Sequence, residues 1–114
     1  MSEMNIETLM RNYLDAYMKL DVDGTLSFIA ENAVWQSPEG VFKGKEEIKR
    51  YLTWMFKMTR QIKFRDAGIG LVVKDNKAVY EYMIEAVTSE GMKYETPRVG
   101  IYEIGDGKIK QLII

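Results

Sequence analysis

The sequence predicts an α+β fold, with helices laid on one face of a mainly antiparallel sheet. Two observations carry this. Up to about residue 58 the apolar residues recur at three- and four-residue steps, the spacing of amphipathic helices. From Gln61 onward they fall in long runs cut by short polar turns, the pattern of hairpin-linked strands. Helices first and antiparallel strands after is the order of an α+β domain.

Ile6, Leu9, Met10, Tyr13, Tyr17 and Leu20 form one face of a first helix, with Ser2 and Asn5 as candidate N-caps and Glu7 in its first turn. The break at Asp21-Val22-Asp23-Gly24 ends it, and Asp23 can cap a short second helix carrying Leu26, Phe28 and Ile29. Residues 33–37 read as a strand and Pro38-Glu39-Gly40 as a turn. A third helix starts after Gly44, with Ile48, Tyr51, Leu52, Met55 and Met58 on one face. Glu46 and Glu47 suit the dipole of its first turn and need no function. Four long strands follow at 62–73, 78–88, 93–104 and 108–114, and their connections read as hairpins. Gly68 and Gly70 inside the first of these signal a bulge or sharp bend.

With 114 residues, the chain is read as one domain, 1–114. Its 46% hydrophobic and 29% charged residues are those of a globular protein with a real core. Sixteen basic residues nearly cancel seventeen acidic ones and no basic run forms, so neither nucleic acid nor an acidic membrane surface is expected as a partner. Cysteine and histidine are both absent, which excludes disulfides, thiol nucleophiles, a Ser-His-Asp triad and the usual zinc site. Any catalysis must use carboxylates, Tyr, Lys, Arg or ordered water. No metal or organic cofactor is implied. No apolar run reaches transmembrane length and the first residues lack a signal-peptide pattern, so a cytoplasmic protein is expected.

The punctuation between Tyr13 and Ile48 is more specific than composition. Tyr13 stands eight residues before Asp21, and Glu31-Asn32-Ala33-Val34-Trp35, Pro38-Glu39-Gly40 and Gly44-Lys45-Glu46-Glu47-Ile48 follow. In this order the motifs resemble the SnoaL-like, ketosteroid-isomerase-like branch of the nuclear transport factor 2 superfamily. The resemblance implies three helices packed on a strongly curved, mixed sheet that forms a cone-shaped barrel around a cavity. One such scaffold serves many chemistries, so it says little about activity.

Alternation along the strands sets which residues face that cavity. The register with fewer carboxylates places Tyr80, Tyr82, Ile84, Tyr94, Thr96, Arg98 and Tyr102 inward. The resemblance implies the same register when the family's usual pattern is counted back from Asp106-Gly107-Lys108, whereas the ketosteroid isomerase pattern counted back from Pro97 puts Val99 inward instead of Gly100, and a one-residue slip reverses every assignment. Outward lie Val79, Met83, Val87, Val99 and Ile101 among Glu81, Glu85 and Glu103. Such an apolar patch implies a partner, and the resemblance implies a twin packed on this convex face in a symmetric homodimer; the alternative is cover by the C-terminal segment or a loop.

Ketosteroid isomerases use a Tyr in the first helix, an acid on the third long strand and a carboxylate base just before the P-x-G turn. Tyr13 matches the first. Ser37 stands where the base belongs, and Gly100 or Val99 where the strand acid belongs, so this chemistry is not expected. Limonene-epoxide hydrolases carry Arg-x-Asp on a strand, and Arg98-Val99-Gly100 keeps only the Arg. SnoaL-type cyclases and scytalone dehydratases use Asp or His in the cavity. Asp66 is the one Asp inside a long strand and stays as a remote candidate base.

Each candidate also has a plain structural role. Tyr13 and Tyr17 suit core packing, Trp35 and Trp54 the core or cavity wall, and Ser37 a turn. The eight methionines suit core filling. Arg98 is either a guanidinium in an aromatic cavity, needing an anion or carbonyl, or a surface arginine. The leading expectation is binding of a small hydrophobic molecule bearing a carbonyl or carboxylate, lined by Tyr13, Tyr17, Trp35, Ser37, Trp54, Tyr80, Tyr82, Arg98 and Tyr102. The alternatives are an isomerase, cyclase or dehydratase on a cyclic ketone with Tyr13 as oxyanion donor, and a protein-interaction module with a filled core.

Overall fold

The computed structural model describes residues 2–114. Helix α1 spans Glu3–Met18, capped by Ser2, whose hydroxyl accepts from the Asn5 amide at 3.2 Å. Its apolar stripe buries Ile6, Leu9, Met10, Tyr13, Leu14 and Tyr17. At its end the Leu20 amide donates to the Tyr17 carbonyl and the Asp21 amide to Ala16, a Schellman closure. Leu20 takes the left-handed conformation this requires, φ 57°, where glycine is usual.

Helix α2 is shorter than expected, Val22–Leu26. Asp21, not Asp23, caps it by accepting from the Gly24 amide at 2.9 Å, and Phe28 and Ile29 fall beyond it. Strand β1 starts earlier than expected, Ile29–Ser37, because Ile29 pairs with β6. The P-x-G turn then leads into a further strand, β2, Gly40–Lys43, too short and too alternating with turn residues to stand out in sequence. Helix α3, Lys45–Lys57, buries Ile48, Tyr51, Leu52 and Phe56. Met58 is its C-cap and half exposed, and Phe56 takes the place expected for it.

The long strands are β3 Thr59–Lys74, β4 Lys77–Thr88, β5 Lys93–Gly105 and β6 Lys108–Ile113. They join in antiparallel hairpins, and the Asp106-Gly107 turn has both φ angles positive (51° and 75°), as a type I′ turn needs. The six-stranded sheet runs β2-β1-β6-β5-β4-β3, with only β1 and β6 parallel. It curls without closing, leaving β2 and β3 as edges. The β3 bend lies between Asp66 and Leu71, where the register shifts and Gly68 and Gly70 have φ of 51° and 64°. A side chain at Gly68 would also collide with the Glu81 carboxylate, which accepts from the Ile69 amide at 3.0 Å.

The helices pack on the concave face, α1 against β3 and α3 against β1, β2 and β3. Tyr82 pairs with Arg98 and Tyr80 with Gly100 across β4 and β5, so Tyr80, Tyr82, Gly100 and Tyr102 turn inward. Val99 and Ile101 turn outward, 51% and 46% exposed, with Val79, Met83 and Val87 half-buried beside them. No segment among the described residues lies over this convex face. Nor is any helix among them long and apolar enough to cross a membrane.

Candidate ligand-binding pocket

Between α1, α3 and the concave sheet lies a pocket of about 120 Å³. Helical spacing sends Tyr13 and Tyr17 from α1 into it, strand alternation sends Trp35 from β1, Tyr82 from β4 and Tyr102 from β5. Tyr13 meets Tyr102 edge-on at 6.1 Å between centroids, and Tyr17 stacks on Trp35 at 6.4 Å. Pro38, Glu39, Tyr94 and Arg98 stand nearer the surface and form its rim.

Burial pushes the phenols of Tyr13, Tyr17 and Tyr102 well above their ordinary range. Tyr82 is pushed up to about 12, again by burial first. These hydroxyls are therefore neutral hydrogen-bond donors near neutrality, never bases. The Tyr17 hydroxyl reaches only the Met55 sulfur, at 3.5 Å. Tyr51 on α3 donates to Glu39 at 2.7 Å, and burial and this bond together raise its phenol.

Three polar groups here are under-satisfied. Arg98 has one long contact, Nη1 to the Thr96 hydroxyl at 3.4 Å, and among the described residues no carboxylate lies within ion-pair distance of it. Trp35 Nε1 and Ser37 Oγ are buried with no well-formed hydrogen bond, although Ser37 lies beside the Tyr51 hydroxyl and acts against the rise of its phenol. Buried polar groups in native proteins nearly always have a partner, protein or ordered water, which sets Trp35 Nε1 and Ser37 Oγ apart, while Arg98 is half-buried at the rim.

The pocket thus brings together Tyr13, Tyr17, Trp35, Ser37, Tyr82, Arg98 and Tyr102. It does not include Asp66, Tyr80 or Trp54. Asp66 accepts from Arg11 at 3.0 and 2.9 Å and from the Tyr80 hydroxyl at 2.7 Å, outside the pocket. Those bonds, Arg11 first, hold its carboxyl below the usual range and make it a poor base. Tyr80 is buried but its hydroxyl is committed to Asp66. Trp54 is 53% exposed on the outer side of α3.

Sequence reasoning missed Glu39 and Tyr51 as site residues. Glu39 is the one acidic side chain among the residues lining the pocket. The only signal for it was its place one residue past Pro38, in a turn that ends at the cavity rim. Tyr51 was legible as a buried helix residue but not as a partner for Glu39.

Residues 10–112 match the SnoaL-like domain, so the chain belongs to the SnoaL-like family. Solved structures agree on the fold. An NTF2-like protein of unknown function from Burkholderia pseudomallei superposes with a TM-score of 0.84 at 15% identity, covering 99% of this chain and 89% of that one. A provisionally assigned polyketide cyclase from Xanthomonas campestris pv. campestris has a TM-score of 0.85 at 20% identity, covering 97% and 89%. TerC, co-crystallised with polyporic acid, has a TM-score of 0.79 at 19% identity, covering 96% and 88%. No curated protein matches the chain by sequence.

Proposed function

We propose that this protein binds a small hydrophobic molecule bearing a carboxylate or carbonyl, with that group on Arg98. The observation that carries the reading is a guanidinium without an ion-pair partner at the rim of a tyrosine-walled pocket. A charge-assisted bond from Arg98 to an oxygen of the guest would satisfy it. The 120 Å³ volume is near that of an engineered apolar cavity of about 150 Å³ that takes benzene, which favours a single-ring guest. The co-crystal of TerC with polyporic acid is consistent with such a use of this fold. In this reading the protein acts in the cytoplasm as a dimer joined through its convex sheet face.

Glu39 favours a second reading. A carboxylate lining the same pocket as Tyr13 and Tyr102 could take a proton beside a carbonyl while Tyr13 donates to the developing oxyanion. That describes an isomerase, cyclase or dehydratase acting on a cyclic ketone, and it requires Glu39 to leave its bond with Tyr51. The third possibility, a filled interaction module, fits poorly with buried, unpartnered Trp35 Nε1 and Ser37 Oγ.

Calorimetry and thermal shift with benzoate, cyclohexanecarboxylate and the matching alcohols test the binding reading. The acids should raise the melting temperature by mass action and bind roughly 10–100-fold more tightly than the alcohols. Arg98→Met should erase that preference. Equal affinity for acid and alcohol in the wild type would overturn the role of Arg98.

A further inference from the structure

The inner pocket and the surface beside it share a wall. The Tyr51 ring meets Trp35 at 5.8 Å on the pocket side and stacks on Phe42 at 4.3 Å on the other. Glu39, bonded to the Tyr51 hydroxyl, borders both spaces. Beyond them, Val41, Phe42 and Trp54 line an open groove of about 560 Å³ between β2 and α3, together with the charged Glu47 and Arg50. Val41 is 51% and Trp54 53% exposed, so an apolar surface stands in water directly outside the pocket. Inside, 120 Å³ falls short of the roughly 300–1,000 Å³ typical of ligand sites. Each space is incomplete alone, and they meet at one lip.

We infer that the ligand has two parts: an acid- or carbonyl-bearing ring in the inner pocket, and an uncharged aromatic or alkyl arm that crosses the Tyr51–Glu39 lip to lie on Trp54 and Phe42. This rests on the binding reading above and specifies its ligand. The arm is uncharged because the groove's own charges, Glu47 and Arg50, are of opposite sign and offset each other, the Glu39 carboxylate at the crossing would repel a second anion, and the rest of the lining offers rings and a methyl surface. A tryptophan face is well suited to such an arm, since it gains contact area at little cost in side-chain freedom.

The two tryptophans report the two compartments separately. Protein labelled with fluorotryptophan should give two fluorine NMR resonances, assigned with Trp54→Phe. Benzoate should shift the Trp35 signal alone, and at least one of the three isomeric phenylbenzoates should shift both. That isomer should bind about tenfold more tightly than benzoate. In Trp54→Ala the ratio of the two affinities should fall close to one. If benzoate binds but every phenylbenzoate binds no better and leaves the Trp54 resonance still, the two-part ligand is wrong and the single-ring pocket stands. If no acid moves the Trp35 resonance, the binding reading fails, and the two-part ligand fails with it.

Discussion

Tyr102 lies over Gly100, so a Cβ at position 100 would stand 2.8 Å from carbons of the Tyr102 ring. The two residues are neighbours on one face of β5, and the missing side chain is what lets the ring lie along the pocket wall. The strand acid of a ketosteroid isomerase has no room here unless Tyr102 moves.

Gly100→Asp should therefore destabilise the protein by about 1–3 kcal/mol, the usual cost of forcing bulk into a filled site. Chemical denaturation compared with wild type measures it, and an unchanged midpoint would show that Tyr102 yields freely.

Isomerisation of a Δ5-3-ketosteroid should stay at the buffer rate. A missing positioned base typically removes roughly 10²–10⁴-fold and a missing oxyanion donor about 10²–10³ more. A pocket of 120 Å³ also suits one ring, not four. Following conjugated enone absorbance checks this. If turnover appears, loss of it in Glu39→Gln would identify Glu39 as the base, in place of Ser37.

Light scattering at micromolar concentration should return twice the chain mass, because Val99 and Ile101 are too exposed to be left in water together with Val79, Met83 and Val87. Met83→Glu, or Ile101→Glu at the more open position, should shift the protein to monomer by placing an unpaired charge in the contact. A wild-type monomer at high concentration would end the dimer proposal.

Asp66→Asn should lower stability at neutral pH by less than about 1 kcal/mol, since the Arg11–Asp66 pair is 43% and 48% exposed and solvent-screened. The folded-state carboxyl is held below its unfolded value, so its contribution is complete above about pH 3.9 and is lost as the pH falls through the depressed value. The melting-temperature gap between wild type and variant should close in that acid range. A gap that persists there would point to packing, not charge.

Six of the seven tyrosines, Tyr13, Tyr17, Tyr51, Tyr80, Tyr82 and Tyr102, have phenols raised chiefly by burial. Their contribution to stability is complete below about pH 10, the unfolded value, and is lost as pH rises from there towards the folded ones. Phenolate absorbance for most of them should appear together with loss of far-UV dichroism in one alkaline transition. Smooth ionisation of all seven before unfolding would contradict their burial.

Much of the fold is legible in sequence because it rests on local rules. The stripe from Ile6 to Tyr17, the break at Asp21, the hairpin turns and the bend at Gly68 and Gly70 follow from helical period, turn chemistry and glycine's freedom at positive φ. Strand alternation even turns Tyr82 and Tyr102 inward and Val99 outward. Which polar groups keep a partner is a different matter, because partners come from far along the chain. Asp66 reads as a possible base until Arg11, 55 residues earlier, closes on it and Tyr80 joins them. Trp54, three residues past Tyr51, shares its helix but stands on the flank that α3 leaves to solvent. Glu39 enters the rim because the turn after Ser37 folds back towards Tyr51. Arg98, Trp35 Nε1 and Ser37 Oγ come to one space because the sheet curls and two helices pack over it, and there Arg98 keeps only a long contact to Thr96 while the two buried atoms keep no hydrogen bond. Periodicity decides the face on which a side chain stands, but only the assembled tertiary structure decides what meets it there.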